Sequence, residues 1–269
     1  MSQIGWHAKQ FLMAVPLLGC LLLPTPGLSG EAQLVMDADS GAILFEKNAE
    51  AAMGPAGLAK LMTLYLVFEA VTEGHLSMND QVQISENAAT EPAVVLGLSD
   101  VDSLMLRYLI RATAVGGAND AATALGEAVA GSEPEFVDKM NTKARALGMT
   151  GSHFTNAHGL TEEGITTTAL DIAVLFRALN EDFPQYMNIL ARRSNNAGVG
   201  SVSHSGSRFL EISRDIYAAK TGYTREAKFT AVVMVDNDIR QLIVVGLGGD
   251  STGSLQQDVG KLIDEWLER

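Results

Sequence analysis

Apolar and polar residues change period along this chain, and the changes divide it. Residues 33–38 and 42–46 alternate, and read as two strands joined by a turn at Asp39-Ser40-Gly41. Gly54, Pro55 and Gly57 then break the chain. Leu58, Leu61, Met62, Leu64, Leu66, Val67 and Phe68 follow and leave almost no polar face. A helix apolar nearly all round belongs at the centre of a domain; this one is expected to run to about residue 70 and stop at Gly74. Residues 75–100 read as a loop-rich crossover. A helical section from about Ser103, with Leu104, Leu106, Leu109 and Ile110 on its buried face, is interrupted at Gly116-Gly117-Ala118-Asn119 and resumes to Val129. Ser132-Glu133-Pro134-Glu135 is a capping box that opens a helix to about Leu147. Further helices are expected over residues 169–179 and 184–190. The period returns to two at 216–221, 228–235 and 239–245, with a turn at 236–238, and an amphipathic helix over 255–267 closes the chain. The expected fold class is α+β. An antiparallel five-stranded sheet drawn from both chain ends is flanked by helices, with an all-helical lobe (about residues 75–200) inserted between its parts.

Residues 1–30 fall outside that core. A short polar start ending at Lys9, an apolar run from Phe11 to Leu23 and the small or turn-forming residues of 24–30 predict a cleaved secretory signal peptide. That leaves residues 31–269 as the working domain and places it in the periplasm, with no membrane anchor beyond the signal. Leu17-Leu18-Gly19-Cys20 also reads as a lipoprotein box. Three leucines follow Cys20, which puts the cysteine inside the apolar run and favours simple cleavage. Cys20 is the only cysteine, so a cleaved chain has no thiol chemistry. Cleavage removes Lys9 and no acid, moving the formal charge from -13 to -14. Such a surface repels nucleic acid and anionic lipid.

Candidate chemistry is sparse. Lys60 lies in the first turn of the apolar helix, where a buried ammonium needs partners or loses its proton; a snorkelling head is the alternative. Asn119 is expected in a tight turn between helices. Lys220-Thr221-Gly222 ends a strand, and its glycine lets a ligand lie against the strand edge. No zinc or calcium spacing and no phosphate-binding glycine loop is present, so no cofactor or metal is expected. His153 and His158 flank Asn156 without an evident third ligand and read as loop or surface packing. His75 reads as solvated, and Asp171 as a helix-start carboxylate that favours the dipole.

The order and separation of these signals, with Asn119-Asp120-Ala121-Ala122, residues 144–149, residues 154–160 and Gly222-Tyr223-Thr224, resemble the penicillin-binding D-alanyl-D-alanine carboxypeptidases. These serine peptidases trim peptidoglycan stem peptides and share a fold with class A β-lactamases. The resemblance covers roughly residues 32–268 and implies a β-lactamase/transpeptidase-like fold. It also implies three motifs. Serine-x-x-lysine carries the nucleophile and its base; serine-x-asparagine supplies a second hydroxyl and a substrate-holding amide. Lysine-threonine-glycine binds the terminal carboxylate, and backbone N–H groups at the nucleophile and just after that glycine form the oxyanion hole. By this resemblance the chain keeps Lys60, Asn119, Lys220, Thr221 and Gly222, and the oxyanion donors fall at Gly57 and Tyr223. Gly57 stands where the nucleophilic serine belongs, Gly117 where the second serine belongs, and Ala59 where a small hydroxyl residue is usual. The arginine that assists at the carboxylate in many relatives falls near Leu255.

Glycine cannot form an acyl-enzyme. Losing the nucleophile of a comparable serine hydrolase costs about 10⁶ in kcat, roughly 8 kcal/mol of barrier. Thr63, one turn past Lys60, is expected to point into the core. The leading expectation is therefore a catalytically inactive relative that binds stem peptides, another peptide or a protein partner, partly by strand addition along Thr221–Tyr223. One alternative is a residual hydrolase in which neutral Lys60 activates water. Another is a structural, partner-binding scaffold.

Overall fold

The computed structural model describes Met1 and residues 31–267; the signal-peptide and Cys20 expectations lie outside them. β1 (Ala32–Asp37) and β2 (Ile43–Lys47) pair antiparallel, as their alternation predicts. β7 (Ile216–Thr224), β8 (Lys228–Asp236) and β9 (Gln241–Gly249) follow near the other end of the chain. The five strands form one antiparallel sheet in the order β2-β1-β9-β8-β7. β9 joins the two chain ends, with Leu34 opposite Val245 and Met36 opposite Ile243. β7 is left as an edge, and that edge borders the cleft described below.

The two faces of the sheet are buried differently. One face (Val35, Val233, Val244) packs under α8 (Thr252–Leu267) through Leu255, Val259 and Ile263. The other (Leu34, Val232, Met234, Ile243) packs on α1 (Lys60–Thr72) and α6 (Ala169–Asp182). α1 is buried almost all round, as its pattern requires. Burying Leu61, Met62, Leu64 and Phe68 contributes roughly 1.5–3 kcal/mol each relative to exposure.

Between the sheet segments run α2 (Glu86–Ala89), α3 (Leu106–Arg111), α4 (Asn119–Ala130), α5 (Glu133–Ala146), α6 and α7 (Pro184–Met187). Ser132 caps α5 through the Glu135 N–H. The lobe is not all helical. β3 (Gln81–Gln83) pairs with β4 (Ser103–Met105), and β5 (Ser194–Asn196) with β6 (Ser201–Ser203). Three-residue strands are too short to display a period. Ser103 and Leu104 therefore begin a strand, and the helix starts only at Leu106. Asn119 is also corrected: it is the first residue of α4, and the turn is made by Gly117, left-handed at φ 76.

Candidate active-site cleft

A cavity of about 600 Å³ opens between the β7 edge, the start of α1 and the α3–α4 connection. Gly57, Lys60, Gly117, Asn119, Thr221, Gly222 and Tyr223 all line it. Lys220 lies just beneath: a Cβ built on Gly117 would stand 3.7 Å from its Nζ. Residues from three distant parts of the chain thus share one groove.

Lys60 Nζ donates to Asn119 Oδ1 at 2.7 Å and to the His158 carbonyl at 2.7 Å, and the side chain is buried. Burial, reinforced by the charge of Lys220, pushes Lys60 well below the usual lysine range, while Glu91 and Asp120 oppose the shift. A neutral amine donating to those two acceptors still has a lone pair, which is what a proton acceptor needs. Lys220 is fully buried and donates to the carbonyls of Thr113 (3.1 Å) and Ala114 (3.2 Å). Burial lowers it to about 8, so at neutral pH it remains a positive charge beneath the cleft. Its field and, more strongly, burial hold neighbouring His204 down near 4. Asn119 is spoken for on both sides, since its Nδ2 donates to the Pro92 carbonyl at 2.8 Å.

Gly57 precedes Lys60 in a 3-10 turn over Ala56–Ala59 that leads into α1. A Cβ added there would meet the Thr221 carbonyl oxygen at 2.7 Å and Gly222 Cα at 3.1 Å. The β7 backbone therefore crowds any side chain begun at 57 and would have to shift to admit it. Gly117 differs: a Cβ there has only ordinary contacts, nearest Ser205 Oγ at 3.6 Å, but its φ of 76 disfavours any other residue. Thr63 is fully buried and donates to the Ala157 carbonyl at 2.6 Å, away from any reacting group.

A family model of D-alanyl-D-alanine carboxypeptidases matches residues 24–251. The chain belongs to that family. Among curated relatives, the carboxypeptidase DacF of Bacillus subtilis is 30% identical over 248 residues, covering 89% of this chain and 63% of its own length. DacD of Escherichia coli is 30% identical, with coverages of 88% and 63%. This carboxypeptidase-family chain thus spans about three fifths of the length of such relatives. Among solved structures, DacD of Francisella tularensis superposes with a TM-score of 0.83 at 25% identity, covering 97% of this chain and 74% of that one. Penicillin-binding protein D2 of Listeria monocytogenes in its ampicillin-bound form gives 0.79 at 27% identity, with coverages of 87% and 95%. The α+β fold with its five-stranded antiparallel sheet is the one these penicillin-binding carboxypeptidases share.

Several residues lie where their sequence context did not point. His158 packs within its loop, as one of the two readings expected, and is buried rather than at the surface. Its Nε2 lies 3.1 Å from Glu91 and 4.0 Å from Glu133. The three could offer ligand atoms within 4.8 Å of one another. Yet Leu160 N–H donates to His158 Nδ1 at 3.2 Å, which leaves the proton on Nε2, facing the carboxylates. A cation there would have to displace that proton, so the donor set fits a hydrogen-bonded relay better than a metal. Burial alone would raise Glu91; the bond from His158, with that from Thr123, outweighs it and holds the carboxyl low. Asp171 lies in the first turn of α6, as expected, and is held there by more than the helix dipole. Thr168 caps α6, and Asp171 Oδ2 accepts from Gly151 N (2.9 Å) and Ser152 Oγ (2.7 Å), with burial raising its pKa. His153 and His75 are exposed, the latter 3.2 Å from Glu73. Leu255 lines the cleft but is buried against Gly246 and Gly249. Ser205 and Arg208, which no motif singled out, line the cleft as well.

Proposed function

We propose that this protein is a non-catalytic member of the carboxypeptidase family that holds a peptide by its terminal carboxylate without acylating. The observation that carries this reading is the environment of Gly57. The expected nucleophile position has no side chain, and a Cβ there would crowd the Thr221 carbonyl oxygen at 2.7 Å. Lys220, with Ser205 and Arg208 at the cleft wall, supplies donors suited to a carboxylate. The exposed Tyr223 and the β7 edge offer an extended peptide a pairing surface. The stem peptide of peptidoglycan is the ligand class, and the periplasm, reached through a leader over residues 1–30, is the compartment. A peptide ending in D-Ala-D-Ala should bind saturably in calorimetry while releasing no D-alanine over hours. Release of D-alanine, or loss of all binding, would overturn the reading.

A second reading has its own support. Lys60, depressed by burial and with its donors satisfied, is poised to accept a proton from water. Slow D-alanine release that vanishes in Lys60→Ala and resists β-lactams would establish it over the first.

A further inference from the structure

Away from the cleft, a cavity of about 270 Å³ lies between the end of α1, α3 and the turn following α7. Arg107, Arg111 and Arg192 line it over an apolar floor that includes Phe68, Ile110 and Tyr186. None of the described residues lining it is acidic. In a chain with formal charge -13, three guanidinium groups around one small cavity call for an explanation.

Their neighbours do not supply one. None of the three has a carboxylate partner within 4.0 Å among the described residues. Arg107 donates to the neutral Asn79 amide oxygen, and Arg111 to the Asn196 carbonyl at 3.3 Å. Arg192 makes no side-chain hydrogen bond within the described residues. Arg107 and Arg111 are four apart on α3, where like charges repel. Both guanidinium groups also sit on the Tyr108 ring, at 5.1 and 5.4 Å from its centroid, which holds them in place without neutralising them. In the floor Phe68 and Tyr186 stack at 4.3 Å between centroids, 24° apart. Three cationic side chains with no carboxylate partner among the described residues thus line one cavity together with apolar side chains.

We infer that this cavity binds a phosphate ester, with the phosphoryl group among Arg107, Arg111 and Arg192 and the apolar body of the ester on the aromatic floor. A phosphate monoester carries close to two negative charges at neutral pH and three acceptor oxygens, enough for three guanidinium forks. A carboxylate offers two oxygens in one plane and satisfies fewer donors. The volume suits a headgroup and about one ring, below the range of drug-sized pockets.

Phenyl phosphate is the probe, titrated into the full chain by calorimetry. The expected result is one saturable site, bound about tenfold or more tighter than inorganic phosphate or benzoate. Arg111→Gln/Arg192→Gln should weaken it at least about tenfold, and Arg208→Gln in the cleft should leave it unchanged. The exposed single change Arg192→Glu should also abolish most binding, and thermal unfolding of each variant shows that the fold is intact. No saturable binding, equal binding of benzoate, or loss in Arg208→Gln with retention in the arginine variants would overturn the inference. Peptide binding in the cleft is read with a different ligand, so either proposal can fail alone.

Discussion

Gly57 and Gly222 meet backbone to backbone: a Cβ on Gly222 would stand 2.1 Å from the Gly57 nitrogen and 2.7 Å from its Cα. Neither partner is a flexible side chain that can turn aside. The β7 edge and the turn before α1 are therefore in contact at the position where the family resemblance expects an attacking oxygen.

Gly222→Ala should consequently destabilise the protein, because relief requires moving the backbone of β7 away from the turn before α1. Overpacking of this kind costs about 1–3 kcal/mol, a fall in Tm of roughly 2–10 °C for a domain this size. Calorimetry of Gly222→Ala against the exposed Gly74→Ala, where nothing lies within 4 Å of the added Cβ, separates crowding from backbone strain. An unchanged Tm in Gly222→Ala would contradict the contact.

Placing serine at positions 57 and 117 should not create an acylating site. Gly57→Ser places its Cβ against the Thr221 carbonyl, and Gly117→Ser must adopt φ near 76, at a cost of about 1–2 kcal/mol. The double variant should fold with reduced stability and label with fluorescent penicillin slowly or not at all. Rapid stoichiometric labelling would show that β7 yields readily.

Lys220 makes stability depend on pH in a defined direction. Its folded value, about 8, lies below the unfolded 10.5, so between them the unfolded chain binds the extra proton and stability rises with pH. Below about 8 both states are protonated and the penalty is fully present. The gain across that window is roughly 3 kcal/mol. Urea unfolding of wild type and Lys220→Met from pH 7 to 10.5 checks it: the difference between them should shift in favour of the wild type as pH rises. A constant difference would contradict it.

Glu91 works in the opposite sense. Its folded value is held below 4.5, so its stabilising contribution is present above the unfolded pKa and is lost as pH falls through the folded one. Glu91→Gln leaves His158 facing a weaker acceptor and should cost about 1–3 kcal/mol at pH 7, with the difference narrowing in acid. A difference independent of pH would point to packing alone.

The sheet was legible because its strands are short apolar or alternating runs rich in Val, Ile and Phe and bounded by turn residues, although β8 and β9 are buried on both faces and do not alternate. α1 was legible from its lack of a polar face. The short pairs β3–β4 and β5–β6 carry no period, and Asn119 sits beside glycines that suggest a turn although it opens α4. Lys60, Asn119 and Lys220 each said little alone; their order along the chain, through a family resemblance, brought them to one groove. Contacts between distant segments left no local trace. Nothing near His158 announces Glu91, and nothing near Gly57 announces the Thr221 carbonyl.

The most direct measurement is intact mass spectrometry of the purified protein after prolonged incubation with excess benzylpenicillin. A chain without an attacking oxygen beside Lys60 should keep its mass. A stoichiometric increase of one penicillin would contradict the account, and the modified residue would identify the nucleophile.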